Sequence, residues 1–131
     1  MKAEKGFIAL ISLSIAGIIA TVIVVGIFLS AVTETDMSLI SQESNKALAL
    51  ANLCAEQALF RLVTTLNYSG NESIIIEGKS CEILSIEGTG NFNRVIKTQS
   101  TVSKYTKKIK IEVSQISPVV EISSWEEVSD F

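Results

Sequence analysis

The chain has 131 residues, the usual length of one domain, and 47% of them are hydrophobic. Its formal net charge is −3 and it contains no histidine, which excludes a histidine-based catalytic triad, a histidine-ligated metal and a histidine pH switch. The apolar residues are concentrated near the N-terminus, because residues 7–32 carry no charged side chain. The composition therefore predicts a membrane segment joined to a small soluble part.

Residues 7–32 form an uninterrupted apolar stretch of 26 residues. About 20 apolar residues are enough to cross a bilayer core of roughly 30 Å. A removable secretory signal is the alternative, but its apolar core has only about 7–15 residues and a small-residue cleavage site follows it. Leu29-Ser30-Ala31 is a poor site of that kind, so the pattern favours a membrane-spanning helix over residues 7–32.

The charges on either side of the apolar stretch predict its orientation. Lys2 and Lys5 precede it, whereas Glu34 and Asp36 follow it. Because positively charged flanks stay in the cytoplasm, we expect the N-terminus to be cytoplasmic and the C-terminal part, called the head below, to lie outside the membrane.

The first residues of the apolar stretch carry a family resemblance. Lys5-Gly6-Phe7 followed at once by an apolar helix resembles the class III signal of type IV prepilins and pseudopilins. In that family a membrane peptidase cuts after the glycine and methylates the new N-terminal residue, usually phenylalanine. The resemblance implies cleavage between Gly6 and Phe7, loss of residues 1–6 as a leader, and N-methylation of Phe7. It also implies three partners: the prepilin peptidase, the bacterial inner membrane, and other pilin or pseudopilin subunits bound through the N-terminal helix.

Two features of the apolar helix bear on its role in such a filament. Most pilins carry glutamate at the fifth mature position, which here is Ile11; some minor pilins and one minor pseudopilin also lack it, so the resemblance favours a minor subunit over a major one. Ser12, Ala16 and Ala20 recur four residues apart, a spacing that lets membrane helices approach closely. Small residues are also common in any membrane helix, so this packing face is one of two interpretations.

Residues 33–66 are predicted to continue the helix into the head. From Ala47 onward the apolar residues fall three and four positions apart, which is typical of an amphipathic helix, and residues 67–71 then read as a loop. One helix from Phe7 to Leu66 would be roughly 90 Å long, with a kink between Thr33 and Asn45 as an open alternative. Such a helix resembles the pilin spine, in which the second half packs under a β-sheet.

The residues after the helix predict a small sheet. The strand-like runs are Ser73–Glu77, Cys81–Ile86, Arg94–Ser103 and Lys107–Ile116. The link between the last two is short, so they should form an antiparallel hairpin. We therefore expect an α+β, pilin-like fold in which a four-stranded, mostly antiparallel sheet spans residues 67–118. Residues 119–131 are either a flexible acidic tail or a last edge strand around Val119–Ile122.

The chain has two cysteines, one in each predicted layer of the head. Cys54 lies in the amphipathic helix and Cys81 opens the second strand. In an exported head they predict a disulfide, which for a loop of about 27 residues stabilises by roughly 3–4 kcal/mol in the chain-entropy account. Two buried free thiols are the alternative. Two cysteines cannot form a four-thiolate zinc site, so we expect no metal and no cofactor.

One stretch of the sheet is strongly basic. From Arg94 to Lys110 there are six positive residues and no acidic one. Such a stretch could contact phosphates, but it contains a single aromatic residue for base stacking, Tyr105, and a solvated strand edge explains it more simply. Nucleic acid is therefore not an expected partner.

The sequence as a whole favours a structural role. Carboxylates are scattered singly apart from Glu126-Glu127, and the sequence has no Gly-rich phosphate loop and no catalytic constellation, so we do not expect an enzyme. The leading hypothesis is a filament subunit assembled through its N-terminal helix, located first in the inner membrane and then in an extracellular filament or periplasmic pseudopilus. The alternative is a permanently anchored, single-pass envelope protein with an exported binding head.

Overall fold

The computed structural model describes residues 2–131 and confirms the α+β layout. Helix α1 spans Lys2–Thr64. Five strands follow: β1 Glu72–Ile76, β2 Lys79–Ile83, β3 Phe92–Val102, β4 Tyr105–Gln115 and β5 Glu121–Val128. The chain divides into two compact units, Met1–Ile40 and Ser41–Phe131, and the second unit is the head.

The strands form one antiparallel sheet in the order β1-β2-β3-β4-β5. Consecutive strands are neighbours, so the sheet is a simple meander. The turn between β1 and β2 consists of Glu77 and Gly78 with φ of 50° and 76°, the positive values that a type I′ hairpin turn requires. The predicted hairpin of the two long strands is confirmed, with Val102 opposite Tyr105 at its turn.

The sheet has five strands rather than the four predicted. Within residues 119–131, Glu121–Val128 forms β5, which pairs with β4 along its length, with register shifts between Glu112 and Val113 and between Val113 and Gln115. A flexible tail was therefore the wrong alternative and an edge strand the right one, although the strand extends beyond Ile122. The other boundaries shift by a few residues, because each strand begins earlier than the apolar pattern does and α1 ends at Thr64 instead of Leu66.

The core of the head lies between one face of α1 and one face of the sheet. The buried face of the helix consists of Ala47, Ala51, Cys54, Ala55, Ala58 and Leu62, which keep the predicted spacing of three and four. They pack against alternating residues of the strands and of the loop after β4, which include Ile83, Ile96, Ile109, Ile111, Val113 and Ile116. Burial of these aliphatic side chains is the main stabilising term, at about 1.5–3 kcal/mol for each large one.

Small side chains on this helix face bring the sheet very close to the helix backbone. Thr98 on β3 is fully buried and its Oγ1 donates a hydrogen bond to the carbonyl of Ala51 at 2.9 Å. Ser100, two residues further on, donates in the same way to the carbonyl of Ala47. These bonds satisfy the only hydroxyls among the buried residues of β3, which would otherwise be costly in an apolar core.

A disulfide joins the two layers covalently. Cys54 of α1 and Cys81 of β2 are bonded, with their Cα atoms 6.3 Å apart and both side chains fully buried. The bond crosses the centre of the core, where it closes the segment that contains the end of α1, the following link and β1.

Arg94 organises the loops at one end of the sheet. Its side chain is buried, and its guanidinium donates to the carbonyls of Leu66 at 2.9 Å, Gly90 at 3.0 Å, Glu87 at 3.2 Å and Tyr68 at 3.4 Å. Leu66 and Tyr68 belong to the link after α1, whereas the other two acceptors belong to the link before β3. A single side chain therefore ties these two links together, and its charge lies near the negative end of the helix dipole.

Removal of the disulfide should strongly destabilise the head. We expect the double variant Cys54→Ala, Cys81→Ala to lose about 3–4 kcal/mol of unfolding free energy, because its unfolded chain regains the entropy of the open loop. Chemical denaturation of the full chain in detergent, followed by the fluorescence of the single tryptophan, measures the loss. A reductant should lower the wild-type midpoint and leave that of the variant unchanged; equal midpoints for the oxidised wild type and the variant would contradict the prediction.

Replacement of Arg94 by methionine should loosen both links. The Arg94→Met variant keeps the buried volume but removes every donor, and we expect it to lose about 2–3 kcal/mol, since hydrogen bonds to a charged group are among the stronger ones. The unfolding free energy of Arg94→Lys should lie between those of the wild type and Arg94→Met, because lysine keeps the charge but not the fork of donors. Hydrogen exchange of residues 65–71 and 87–91 should speed up in the methionine variant. Arg61→Met, on a half-buried arginine that donates to the Glu72 carboxylate and belongs to neither link, is the matched control and should have a smaller effect.

Candidate functional site

The N-terminal part of α1 is apolar on all sides. Within residues 2–131 there is one helix long and apolar enough to cross a membrane, with a mean hydropathy of 2.8 over its most apolar 18 residues, none of which is buried. Large side chains are exposed along the whole stretch, from Phe7 at 65% to Val32 at 46%. A helix that is hydrophobic all round suits a lipid or a bundle of like helices rather than water.

The few polar groups in this stretch are satisfied within the helix. The hydroxyls of Ser12, Ser14, Thr21 and Ser30 each donate to a main-chain carbonyl three or four residues earlier, at 2.8–3.0 Å. An unsatisfied polar group in hydrocarbon costs several kcal/mol. The hydrogen bonds within the helix therefore make the stretch compatible with lipid despite its serines and threonine.

The predicted cleavage site lies in the first turns of α1. Gly6 and Phe7 are both helical and exposed, and a Cβ added to Gly6 would meet nothing within 4 Å. The glycine is therefore not required by packing within the chain, and cleavage after it stays a prediction. Ile11 at the fifth position after the glycine is also exposed, at 44%.

The predicted packing face is present as an exposed stripe. Ser12, Ala16 and Ala20 lie along one side of the helix at intervals of four residues, and each is exposed. The stripe is narrow and smooth enough for a second helix to approach closely. Its use as a contact stays a prediction, because it depends on a partner helix.

The basic stretch of the sheet is largely neutralised by acids from elsewhere in the head. Lys107 pairs with Glu127 and Lys108 with Asp130, both at 2.6 Å, and these acids belong to β5 and the residues after it. Lys110 pairs with Glu112 at 2.6 Å, and Lys97 pairs with Glu87. Arg94 is buried and bonded to carbonyls. The stretch therefore presents less free positive charge than its sequence suggests.

A small polar cluster connects the end of α1 to β1. The Oε1 atom of Glu72 accepts hydrogen bonds from both Arg61 and the hydroxyl of Tyr68. The bond from Tyr68 is the main cause that lowers the pKa of Glu72. Burial, supported by the neighbouring carboxylate, raises the pKa of Tyr68 to about 12. Near neutral pH the tyrosine is therefore protonated and the glutamate ionised, so the cluster acts as a fixed clamp and not as a proton-transfer pair.

The described residues contain no group of three or more acidic, cysteine or histidine side chains placed to hold a metal ion.

An apolar groove, called the β5-side groove, runs between α1 and β5. It is lined by Leu59, Phe60 and Val63 of the helix, by Val120, Ile122 and Trp125 of the sheet edge, and by Glu56. Trp125 Nε1 donates to Asn52 Oδ1 of α1 at 3.0 Å, which fixes the indole ring as one wall of the groove. The sequence analysis did not predict this groove, although the position of Phe60 opposite the buried helix face was a signal for an apolar surface there.

A second groove, called the β1-side groove, lies on the other flank of α1. Its walls are Ala49, Leu50 and Leu53 of the helix and Ile76 of β1, and its charged residues are Lys46, Glu77 and Lys79. The sequence analysis did not predict this groove either, because it depends on how β1 and β2 lie against the helix. The head therefore leaves an apolar surface on both sides of α1.

Comparison of the chain with protein-family models, with curated proteins and with solved structures finds no match. The resemblance to type IV pilins therefore rests on the residues that carry it: Gly6, Phe7 and the apolar stretch, followed by the amphipathic half of the helix.

Proposed function

We propose that the chain is a structural subunit, and a minor one, of a type IV pilus or a type II secretion-like filament. It enters the bacterial inner membrane with its N-terminus in the cytoplasm and its head outside. The prepilin peptidase then cuts between Gly6 and Phe7 and methylates Phe7. The observation that carries this proposal is a helix exposed and apolar on all sides over residues 7–32, which begins directly after Lys5-Gly6.

The chemistry of the helix gives this function a simple mechanism. Cleavage removes Lys2 and Lys5, the charges that hold the leader at the cytoplasmic surface. The remaining helix can then leave the lipid sideways and bury its apolar side chains against neighbouring helices. Lipid tails are as apolar as these side chains, so close van der Waals packing has to favour the exchange. The stripe of Ser12, Ala16 and Ala20 is the face on which we expect it.

Two further features support the assignment. A disulfide such as Cys54–Cys81 persists in an oxidising compartment, which agrees with a head outside the inner membrane. The exposed Ile11 in place of glutamate supports a minor subunit, because the paired charge of a typical pilin helix is missing. We propose no catalytic activity and no cofactor.

The exposed grooves favour a second candidate function. A single-pass protein that stays anchored could use an apolar groove beside α1 to bind a partner, since large exposed apolar surfaces on a soluble domain commonly mark contact sites. The two candidates differ at one peptide bond, Gly6–Phe7, because an anchored protein has no need for the cut.

Substitution of Gly6 should block maturation without harm to the fold. The wild type, expressed together with a prepilin peptidase and purified from membranes, should begin at Phe7 and carry one added methyl group. Gly6→Leu should keep residues 1–6, because the peptidase of the family that the chain resembles cuts after a glycine. Intact-mass measurement separates these products without ambiguity.

The membrane helix provides a matched control for this test. Gly17 has the same open surroundings as Gly6, so Gly17→Leu adds equal bulk away from the cut and should leave processing unchanged. A wild-type protein that retains residues 1–6 in the presence of the peptidase would refute the filament function and favour the anchored protein.

A further inference from the structure

Strand β1 is an edge of the sheet that carries no protection against a further strand. It pairs with β2 in an unbroken register from Glu72 to Ile76, and residues 73–76 read Ser-Ile-Ile-Ile, without a charge or a proline. Natural sheets usually blunt an exposed edge with a charge, a proline or a bulge. The opposite edge, β5, has two register shifts and three glutamates. The two edges therefore differ, and β1 is the one left open.

The turn after β1 determines which main-chain groups face this open edge. In a two-residue hairpin the residues that flank the turn, here Ile76 and Lys79, exchange hydrogen bonds. Residues of an antiparallel pair then alternate between bonding the neighbouring strand and pointing away from it. The N–H and C=O groups of Ser73 and Ile75 therefore point away from β2, toward the open edge.

A bond on the far side of β2 agrees with this alternation. The N–H of Leu84 donates to the carbonyl of Lys97 on β3 at 2.9 Å. The residues two and four positions earlier in β2 therefore also bond β3, and those between them, which include Cys81, bond β1. Within residues 2–131, the main-chain hydrogen bonds outside helices and strand pairs involve neither Ser73 nor Ile75. Their main-chain groups are free to pair with another strand.

The β1-side groove continues the apolar core beyond this edge. Ile74 packs against the core, and Ile76 forms one wall of the groove opposite Leu50 and Leu53 of α1. Leu53 is 40% exposed. Neighbouring strands lie about 4.7–4.9 Å apart, so a strand added to β1 would place every second side chain over this flank of the helix. The groove thus has the position of a missing strand, and the free main-chain groups beside it require an extended backbone as its cover.

We propose that β1 binds an extended segment of a different protein, which pairs with Ser73 and Ile75 as an additional strand. The segment carries apolar side chains at every second position, and these lie in the β1-side groove. Main-chain hydrogen bonds supply affinity in such strand addition, and the alternate side chains supply specificity. The charged residues of the groove have both signs, Lys46 and Lys79 against Glu77, so the contact depends on backbone and apolar side chains and not on charge.

A second copy of this chain is a poor occupant of the edge. If two β1 strands paired antiparallel across a twofold axis, their α1 helices would run in opposite directions, whereas copies inserted in one membrane share an orientation. The β5 edge of a second copy is irregular and carries acids. The inference goes beyond the proposed function, because β1 is equally open in a cleaved and in an anchored chain.

Binding of a strand-forming peptide to the full chain in detergent tests the edge. The probe is a short, fluorescently labelled peptide of alternating threonine and valine with a lysine at each end. Two control peptides carry methyl groups on their main-chain nitrogens, one at every threonine and the other at every valine. In a bound strand one of these sets faces β1 and the other faces solvent. Fluorescence anisotropy, with empty micelles as background, should show one methylated peptide binding at least about tenfold more weakly than the probe and the other binding similarly.

Substitution of Ile75 tests the same hydrogen bonds from the side of the protein. Ile75 is 74% exposed, and Ile75→Pro removes its outward N–H without loss of a bond to β2, the situation in which edge strands tolerate proline. We expect Ile75→Pro to weaken probe binding at least about tenfold. Ile75→Thr, which is also β-branched and keeps the N–H, is the matched control and should weaken it less than about threefold. Tryptophan fluorescence during denaturation verifies that each variant folds.

Substitution of Leu53 tests the apolar floor of the groove. Leu53→Ser should weaken probe binding about fivefold, because the added strand then buries less apolar surface. Leu66 is also 40% exposed but lies outside the groove. Leu66→Ser is therefore the matched control and should bind the probe like the wild type.

Hydrogen exchange with the bound probe locates the added strand. The N–H groups of Ser73 and Ile75 should exchange at least about tenfold more slowly in the complex, whereas those of Ile74 and Ile76, already bonded to β2, should change little. Protection of β5 in place of β1, or equal binding of the probe and both methylated peptides, would overturn the inference. So would efficient cross-linking of two Ile75→Cys copies to each other in membranes, because it would assign the edge to a second copy.

Intact mass of the same preparation separates this inference from the proposed function, because it reports the N-terminus independently. A chain that begins at methylated Phe7 but does not bind the probe keeps the filament function and refutes the open edge. A chain that retains residues 1–6 after exposure to the peptidase and binds the probe at β1 supports the edge on an anchored protein and refutes the filament.

Discussion

The head depends on a very close approach of α1 to the sheet. Alanines on the buried helix face add little more than a methyl group, so β3 comes near enough for Thr98 to bond the carbonyl of Ala51 at 2.9 Å. The same closeness allows Cys54 to reach Cys81. A larger side chain at Ala51 would separate the layers and break the hydrogen bonds that the Thr98 and Ser100 hydroxyls donate to the helix. Each buried hydroxyl left unpaired would cost about 1–3 kcal/mol. Packing, hydrogen bonds and disulfide therefore share one geometric requirement.

The elements that sequence reasoning found are those with a local signal. The buried helix face follows a period of three and four residues, and the β3–β4 hairpin follows from alternation and a short link. β5 has no such signal: it reads Glu-Ile-Ser-Ser-Trp-Glu-Glu-Val and most of its side chains are exposed. Backbone pairing with β4 and charge pairs such as Lys107–Glu127 stabilise it. Edge strands held in this way do not require an apolar pattern, which is why a tail was an equally good interpretation.

The candidate functional surfaces also differ in whether the sequence carries a local signal for them. Gly6 and Phe7 could be identified because the motif is contiguous in the sequence. The β5-side groove, in contrast, brings Val63 and Ile122 together from distant parts of the head's sequence. For the same reason, the sequence of the basic stretch suggests more free positive charge than the structure has. No acid lies between Arg94 and Lys110 in the sequence, yet acids from the C-terminal residues pair with its lysines in space. Surface charge and surface shape depend on the tertiary structure. The sequence alone therefore overestimates the free positive charge of the basic stretch and does not show the grooves.

In the proposed filament, the membrane helices alone would leave the axial register between neighbouring subunits open. The stripe of Ser12, Ala16 and Ala20 repeats every four residues, so a neighbour shifted by about 6 Å along the helix meets nearly the same surface. Ile11 offers no charge to fix the register. Because the membrane holds all copies in one orientation and at high effective concentration, even a weak head contact is sufficient to select the register that the helices leave open.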